Sequence, residues 1–159
     1  MTARVLRRAT TGDVADLVRL RAEMFRAMGS PDHDAPGWRA AAARWFTDRL
    51  DDPRVRIVVV EVGGRVVATA MGAVRDSAPA PSAPGGGDVL ISNVCTDPGF
   101  RRRGHARAAF TAVVEWSATT GAGRAELMAT AEGHSLYDAA GFRTVTFPAM
   151  RAPLPPGGA

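Results

Sequence analysis

The chain contains no lysine. All 20 of its basic residues are arginines, set against 16 acidic residues for a formal charge of +4. The Gly-Lys-Ser/Thr ending of a Walker phosphate loop is therefore excluded, and the three spaced glycines of a dinucleotide fingerprint are missing too. A single cysteine, Cys95, excludes an internal disulfide. No apolar run approaches the roughly 18 residues needed to cross a membrane. The opening residues, MTARVLRRATTGDVADL, lack the apolar stretch and cleavage pattern of a secretory signal. These absences lead us to expect a cytoplasmic protein with no membrane partner. A charge of +4 is modest, and an all-arginine composition makes no case by itself for nucleic acid. Phosphate-bearing small molecules remain among the partners such a chain allows.

What is present is enough apolar material for one core. A chain of 159 residues, 46% of them hydrophobic, buries one sizeable core and leaves little room for a second. We expect a single domain over residues 1–159, with a core at about 4–150 and a Pro/Gly-rich tail.

Periodicity places the elements. Val5 to Ala9 reads as a first strand. Thr10 and Asp13 have capping-box spacing before a helix carrying Val14, Leu17, Val18, Met24, Phe25 and Met28, ended by Gly29. After the loop SPDHDAPG, a second helix presents the stripe Trp38, Ala41, Ala42, Trp45 and Phe46. Arg56 to Glu61 and Arg65 to Val74, joined by Gly63-Gly64, read as a β-hairpin. Ser77 to Asp88 is a Pro/Gly-rich surface loop. Val89 to Thr96 is a strand, followed by a tight turn and a helix burying Ala106, Ala109, Phe110, Val113 and Trp116. Arg124 to Ala129 is a strand, Glu132 to Ala140 a short helix, and Phe142 to Phe147 a last strand. The order β-α-α-β-β-β-α-β-α-β predicts an α/β (α+β) architecture, a mixed central sheet flanked by helices.

The chemistry concentrates in FRRRGHARAAF, Phe100 to Phe110. A strand, a tight turn and a helix start aim unpaired amide N–H groups at one point. Gly104 and Ala106 leave the backbone approachable, and arginines at the rim add charge-assisted hydrogen bonds. The expected ligand is a pyrophosphate.

Arg101-x-x-Gly104-x-Ala106, between a strand with Pro98 and a helix, resembles the R/Q-x-x-G-x-G/A acetyl-CoA motif of the GNAT N-acetyltransferases. ATAEGHSLYDAAGF, Ala129 to Phe142, is similar to the same family's later motif, a Leu-Tyr pair on a short helix before Gly-Phe. The resemblance covers about Val5 to Met150 and implies the GNAT fold, acetyl-CoA as co-substrate without a metal, and transfer of acetyl to a primary amine of a small molecule or peptide. It implies that Val94, Cys95 and Thr96 present their backbone to the pantetheine arm and thioester. The stretch Arg101, Arg102, Arg103, Gly104, His105, Ala106 and Arg107 would hold the pyrophosphate. Tyr137, the single tyrosine, would protonate the departing thiolate. Glu126 falls near the family's general base, with a strand bulge bringing it into register. Thr130 stands where many relatives carry a cofactor-contacting asparagine, and Gly133 where alanine is frequent. The region of Glu23, Met24, Phe25, Arg26, Met28, Trp38 and Trp45 would wall the acceptor pocket, and Asp32, Asp34 and Glu23 could form an acidic rim for a cationic amine.

Blander roles stand beside these. Three adjacent arginines are often a solvated run, and Cys95 on an apolar strand reads as inert core rather than nucleophile. Asp32-His33-Asp34 is too short a run to converge on a metal. A non-catalytic acyl-CoA sensor and an arginine-based nucleic-acid binder are the rival readings, and a homodimer is among the assemblies the sequence allows.

Overall fold

The computed structural model describes residues 3–157. Its elements are β1 (Arg4–Arg8), α1 (Val14–Ala27), α2 (Pro36–Arg49), β2 (Val55–Val62), β3 (Arg65–Arg75), β4 (Asp88–Thr96), α3 (His105–Ser117), β5 (Ala125–Glu126) and α4 (His134–Ala139). The strands lie in the order β1-β2-β3-β4-β5, with every pair antiparallel except β4 and β5. This is the expected mixed sheet.

Local chemistry sets each junction. The Thr10 N–H donates to the Asp13 carboxylate at 2.7 Å, so the predicted capping pair opens α1 through one 3₁₀ turn. Gly63 and Gly64 have φ of 60° and 78°, the two left-handed residues that a tight primed hairpin turn between β2 and β3 requires. The Ser77–Asp88 loop doubles back through paired hydrogen bonds between Ala80 and Ala83.

The sheet is covered on both faces, which is why its central strands are almost continuously apolar. Leu17, Leu20 and Phe46 of the first two helices pack with Val55, Ile57 and Val59 on one face. On the other, α3 lies so close that a Cβ added to Gly72 of β3 would stand 2.8 Å from Val113 and 2.9 Å from Trp116. Only a hydrogen fits between that strand and that helix.

Two sequence expectations are corrected. β5 spans two residues rather than Arg124 to Ala129, and Phe142 to Phe147 forms no strand. Val145 and Phe147 are 69% and 84% exposed. Alternating apolar residues mark a face that could be buried, but a strand also needs a neighbour to complete its ladder. The β4–β5 ladder stops at Glu126, and Pro148 removes a donor just beyond the segment.

Contacts divide the chain into two units, Met1–Met128, which holds the sheet with α1, α2 and α3, and Ala129–Ala159, which holds α4. In the second unit α4 ends in a Schellman motif. The Phe142 N–H donates to Tyr137 O and the Gly141 N–H to Asp138 O, both at 3.0 Å, with Gly141 at φ 92°. The rings of Tyr137 and Phe142 stand 6.5 Å apart.

Candidate functional site

The site starts with a fault in β4. Met71 pairs with Ser92 and Thr69 with Cys95, so Asn93 and Val94 together oppose Ala70. This is a β-bulge, and Asn93 carries it with φ of 55°, a conformation that asparagine tolerates. On the other edge, β4 pairs with β5 only at Val89–Ala125 and Leu90–Glu126. From Ser92 onward the β5 side of β4 has no strand partner among the described residues. Val94, Cys95 and Thr96 therefore lie on an open edge that an extended ligand can line with main-chain hydrogen bonds.

Asn93 itself is buried at 2% exposure. Its Oδ1 accepts from Arg21 Nη1 at 3.1 Å, while its Nδ2 is buried without a hydrogen bond to any described residue. Cys95 Sγ lies 3.6 Å from Asn93 O, and burial pushes its thiol up to about 12. Cys95 is thus an inert core thiol whose contribution is its backbone.

Beyond Thr96 the chain turns around Asp97. Its carboxylate accepts from Gly99 N–H at 3.2 Å, Arg19 at 2.8 Å and Arg65 at 2.6 Å. Burial alone would raise its pKa, but the hydrogen bonds from Arg65 and the Gly99 amide outweigh it and hold the group below the usual carboxylate range. A 3₁₀ turn at Pro98–Phe100 leads to Arg102 and Gly104, with φ of 60° and 77°. Helix α3 starts at His105, with Gly104 as its N-cap. A Cβ at Gly104 would meet nothing nearer than Arg4 Nη1 at 4.0 Å, so the glycine is needed for its left-handed backbone rather than for space.

The first hydrogen bond of α3 runs from Ala108 N–H to Gly104 O at 3.1 Å. The amides from Arg102 to Arg107 have no acceptor among the described residues. Six N–H groups at one helix start, backed by the helix dipole, form a cradle for a multiply charged anion.

The arginines divide their work. Arg101 turns back, donating to Thr96 O at 3.4 Å and to Glu23 at 3.3 Å. The Arg103 guanidinium lies 5.5 Å from the Phe100 ring centroid. Arg102 and Arg107 are exposed. His105 is buried beside the turn, and burial, with Arg4 and Arg103 nearby, lowers its pKa. Its Nδ1 has no partner among the described residues.

Glu126 is not brought to the open edge. It pairs opposite Leu90, four residues before Val94, which is about 13 Å along a strand. Its Oε1 accepts from Arg75 Nη2 at 3.3 Å, in the same cluster as Asp88. The two-residue ladder contains no bulge that would move it. In the second unit, Thr130 Oγ1 accepts from Gly133 N–H at 3.3 Å and serves the turn into α4. A Cβ at Gly133 would stand 2.9 Å from Tyr137 Cε2, so this glycine gives the tyrosine ring its place.

Most of the α2 stripe is not core. Only Phe46 is fully buried there. Trp38, Ala41, Ala42 and Trp45 line a cavity of about 360 Å³, closed by Arg21 of α1 and Met71 of β3. Sequence reasoning passed over Arg21, which reads as one more charge on an amphipathic helix. A smaller cleft of about 260 Å³ involves Glu23, His33 and Asp97. Glu23 is already held by Arg26 and Arg101. Among the described residues, no group of three or more His, Cys, Asp and Glu side chains is placed to bind a metal.

A bulged strand whose pairing with its parallel neighbour stops after two residues, followed by a helix with free amides, offers an open edge to an extended ligand and a helix start to an anion. Residues 15–142 match the acetyltransferase (GNAT) family model, and the chain belongs to that family. It is similar in structure to a GCN5-related N-acetyltransferase from Ralstonia eutropha JMP134, with 28% identity, a TM-score of 0.84, and 96% of this chain and 99% of that one covered. A predicted acetyltransferase with acetyl-CoA from Clostridium acetobutylicum has 22% identity and a TM-score of 0.83, with 94% and 96% covered. Glucosamine-6-phosphate N-acetyltransferase from Arabidopsis thaliana shares the fold at 15% identity and a TM-score of 0.75, with 94% and 98% covered. No curated protein sequence matches the chain.

Proposed function

We propose that the protein transfers an acetyl group from acetyl-CoA to a primary amine. The observation that carries this reading is the set of free amides from Arg102 to Arg107 directly following the open β4 edge. Diphosphate charge suits the first and an extended amide-bearing arm suits the second.

Bound acetyl-CoA supplies an activated acyl group as a thioester. The chain's own residues hold and orient it. The amides of the α3 start, with Arg102 and Arg107 at the rim, take the diphosphate. Val94 to Thr96 fix the arm, and the bulge at Asn93 sets the direction of that edge. Alignment of the thioester with an amine supplies much of the rate. The amine nitrogen attacks the carbonyl carbon and the C–S bond breaks; the Tyr137 hydroxyl gives its proton to the leaving sulfur, and the acylated nitrogen sheds a proton to water, which returns one to the tyrosine. The role of Tyr137 rests on its Leu-Tyr motif. Among the described residues, no helix is long and apolar enough to cross a membrane.

Calorimetry with CoA and a thiol-release assay with acetyl-CoA and a panel of amines test the reading. Micromolar CoA binding with turnover of at least one amine is expected. Tyr137→Phe should keep CoA binding and lose rate. Absence of CoA binding would overturn the proposal, and binding without turnover of any amine would leave a sensor in its place.

A further inference from the structure

The cavity between α1, α2 and β3 has one charged residue in its lining, Arg21. Trp38, Trp45 and Phe46 make its walls aromatic, and Met71 closes it from the sheet. The Arg21 guanidinium lies 4.9 Å from the Phe25 ring centroid and donates through Nη1 to Asn93 Oδ1. It forms no ion pair with any described carboxylate. Burial lowers its pKa, with Cys95 acting in the opposite direction. A guanidinium has five N–H donors, and here one is used. Beside it, the Asn93 Nδ2 is buried and also unsatisfied. A half-buried cation with donors to spare, beside a buried amide donor that has no partner, suits an anion that reaches both.

Resting on the acetyl-transfer reading, we propose that the acceptor is an apolar or aromatic α-amino acid, its carboxylate gripped by Arg21 and its side chain held by Trp38, Trp45 and Met71. The planar fork of arginine matches a carboxylate with two hydrogen bonds. A cavity of about 360 Å³ is at the small end for ligand sites and fits one amino acid rather than a peptide. Position agrees with chemistry. Arg21 bonds the bulge residue of β4, and Met71 pairs with Ser92 on that strand. An α-amine lies one carbon from its carboxylate, so an anion held by Arg21 keeps the nucleophile close to the residue that carries the β4 bulge. The acidic rim that would favour a cationic amine loses Glu23 to its two arginines.

The test compares phenylalanine and tryptophan with phenethylamine, tryptamine and the amino-acid amides as acceptors. Wild-type protein should show a kcat/KM at least tenfold higher for the free carboxylates, the loss expected when a charge-assisted pair is removed. Arg21→Gln should erase that preference with CoA binding kept and Tm lowered by no more than the loss of one hydrogen bond to Asn93, and Arg21→Lys should restore part of it. Calorimetry with N-acetylphenylalanine against N-acetylphenethylamine reads the same preference without turnover. Equal or better use of the decarboxylated amines, or a preference that survives Arg21→Gln, overturns the proposal. If CoA does not bind, the transferase reading fails, and the calorimetric pair still decides whether Arg21 selects a carboxylate. Should Arg21→Gln not fold, the wild-type comparison alone decides.

Discussion

Arg75 holds Asp88 through two parallel hydrogen bonds of 2.7 Å each, and the Asp88 side chain is only 3% exposed. Arg124 at 3.6 Å and Glu126 at 3.3 Å complete the cluster. It ties the end of β3 to the start of β4 and anchors the two-residue β5. Charge pairing there does what a longer ladder would otherwise do.

Asp88→Asn should therefore destabilise the fold by about 2 kcal/mol, since Arg75 keeps some hydration when its partner is lost. The Arg75 hydrogen bonds hold Asp88 below its ordinary value of 3.8, and Arg7 does the same for Asp13. A depressed folded pKa contributes stability that is complete above the unfolded value and lost as pH falls through the folded one. Urea midpoints should stay level from pH 7 to 5 and drop below about pH 4. Asp88→Asn should make that drop shallower. An identical acid slope in the variant would contradict the assignment.

Gly72 is where the sheet and α3 touch. Gly72→Ala forces a methyl group against Val113 and Trp116 and should cost about 1–3 kcal/mol, read from urea unfolding. Adding Trp116→Leu should recover part of the loss by making room. Full stability of the single variant would show that the helix shifts freely.

Gly133 bears on the proposed acid. An alanine there fits the backbone, whose φ is −84°, but its methyl meets the Tyr137 ring. The ring is the movable partner, so Gly133→Ala should lower kcat with CoA affinity and Tm nearly kept, in the direction of Tyr137→Phe. Unchanged kcat in both variants would remove Tyr137 from the reaction.

Cys95 should resist alkylation in the folded protein. With its thiol near 12, the thiolate fraction at pH 8 is on the order of one in ten thousand, and the sulfur is buried. Maleimide labelling followed by mass should be slow in buffer and fast in urea. Rapid labelling of folded protein would show that β4 opens locally.

Elements whose cause is local were legible in the sequence. The Thr10–Asp13 pair, the Gly63-Gly64 turn, the hairpin strands and the glycine before α3 each depend on neighbouring residues, and each appears within a residue or two of its expected place. The last strand was misread because its residues have the right period without a neighbour to pair with. Where Glu126 lies along β4 was not legible for a related reason. Distance in sequence from Tyr137 says nothing of where a two-residue ladder stops.

By itself, the sequence determined the helix-start cradle, the mixed sheet and the family, because short-range backbone preferences and hydrophobic period are written residue by residue. Tertiary structure alone decided which edge of β4 is open, that the α2 stripe lines a cavity, and that Arg21 meets Asn93 there. Those facts join residues 72 positions apart. Burial and electrostatic pairing arise only when the folded chain removes water from between such partners, and no local pattern encodes which ones will meet.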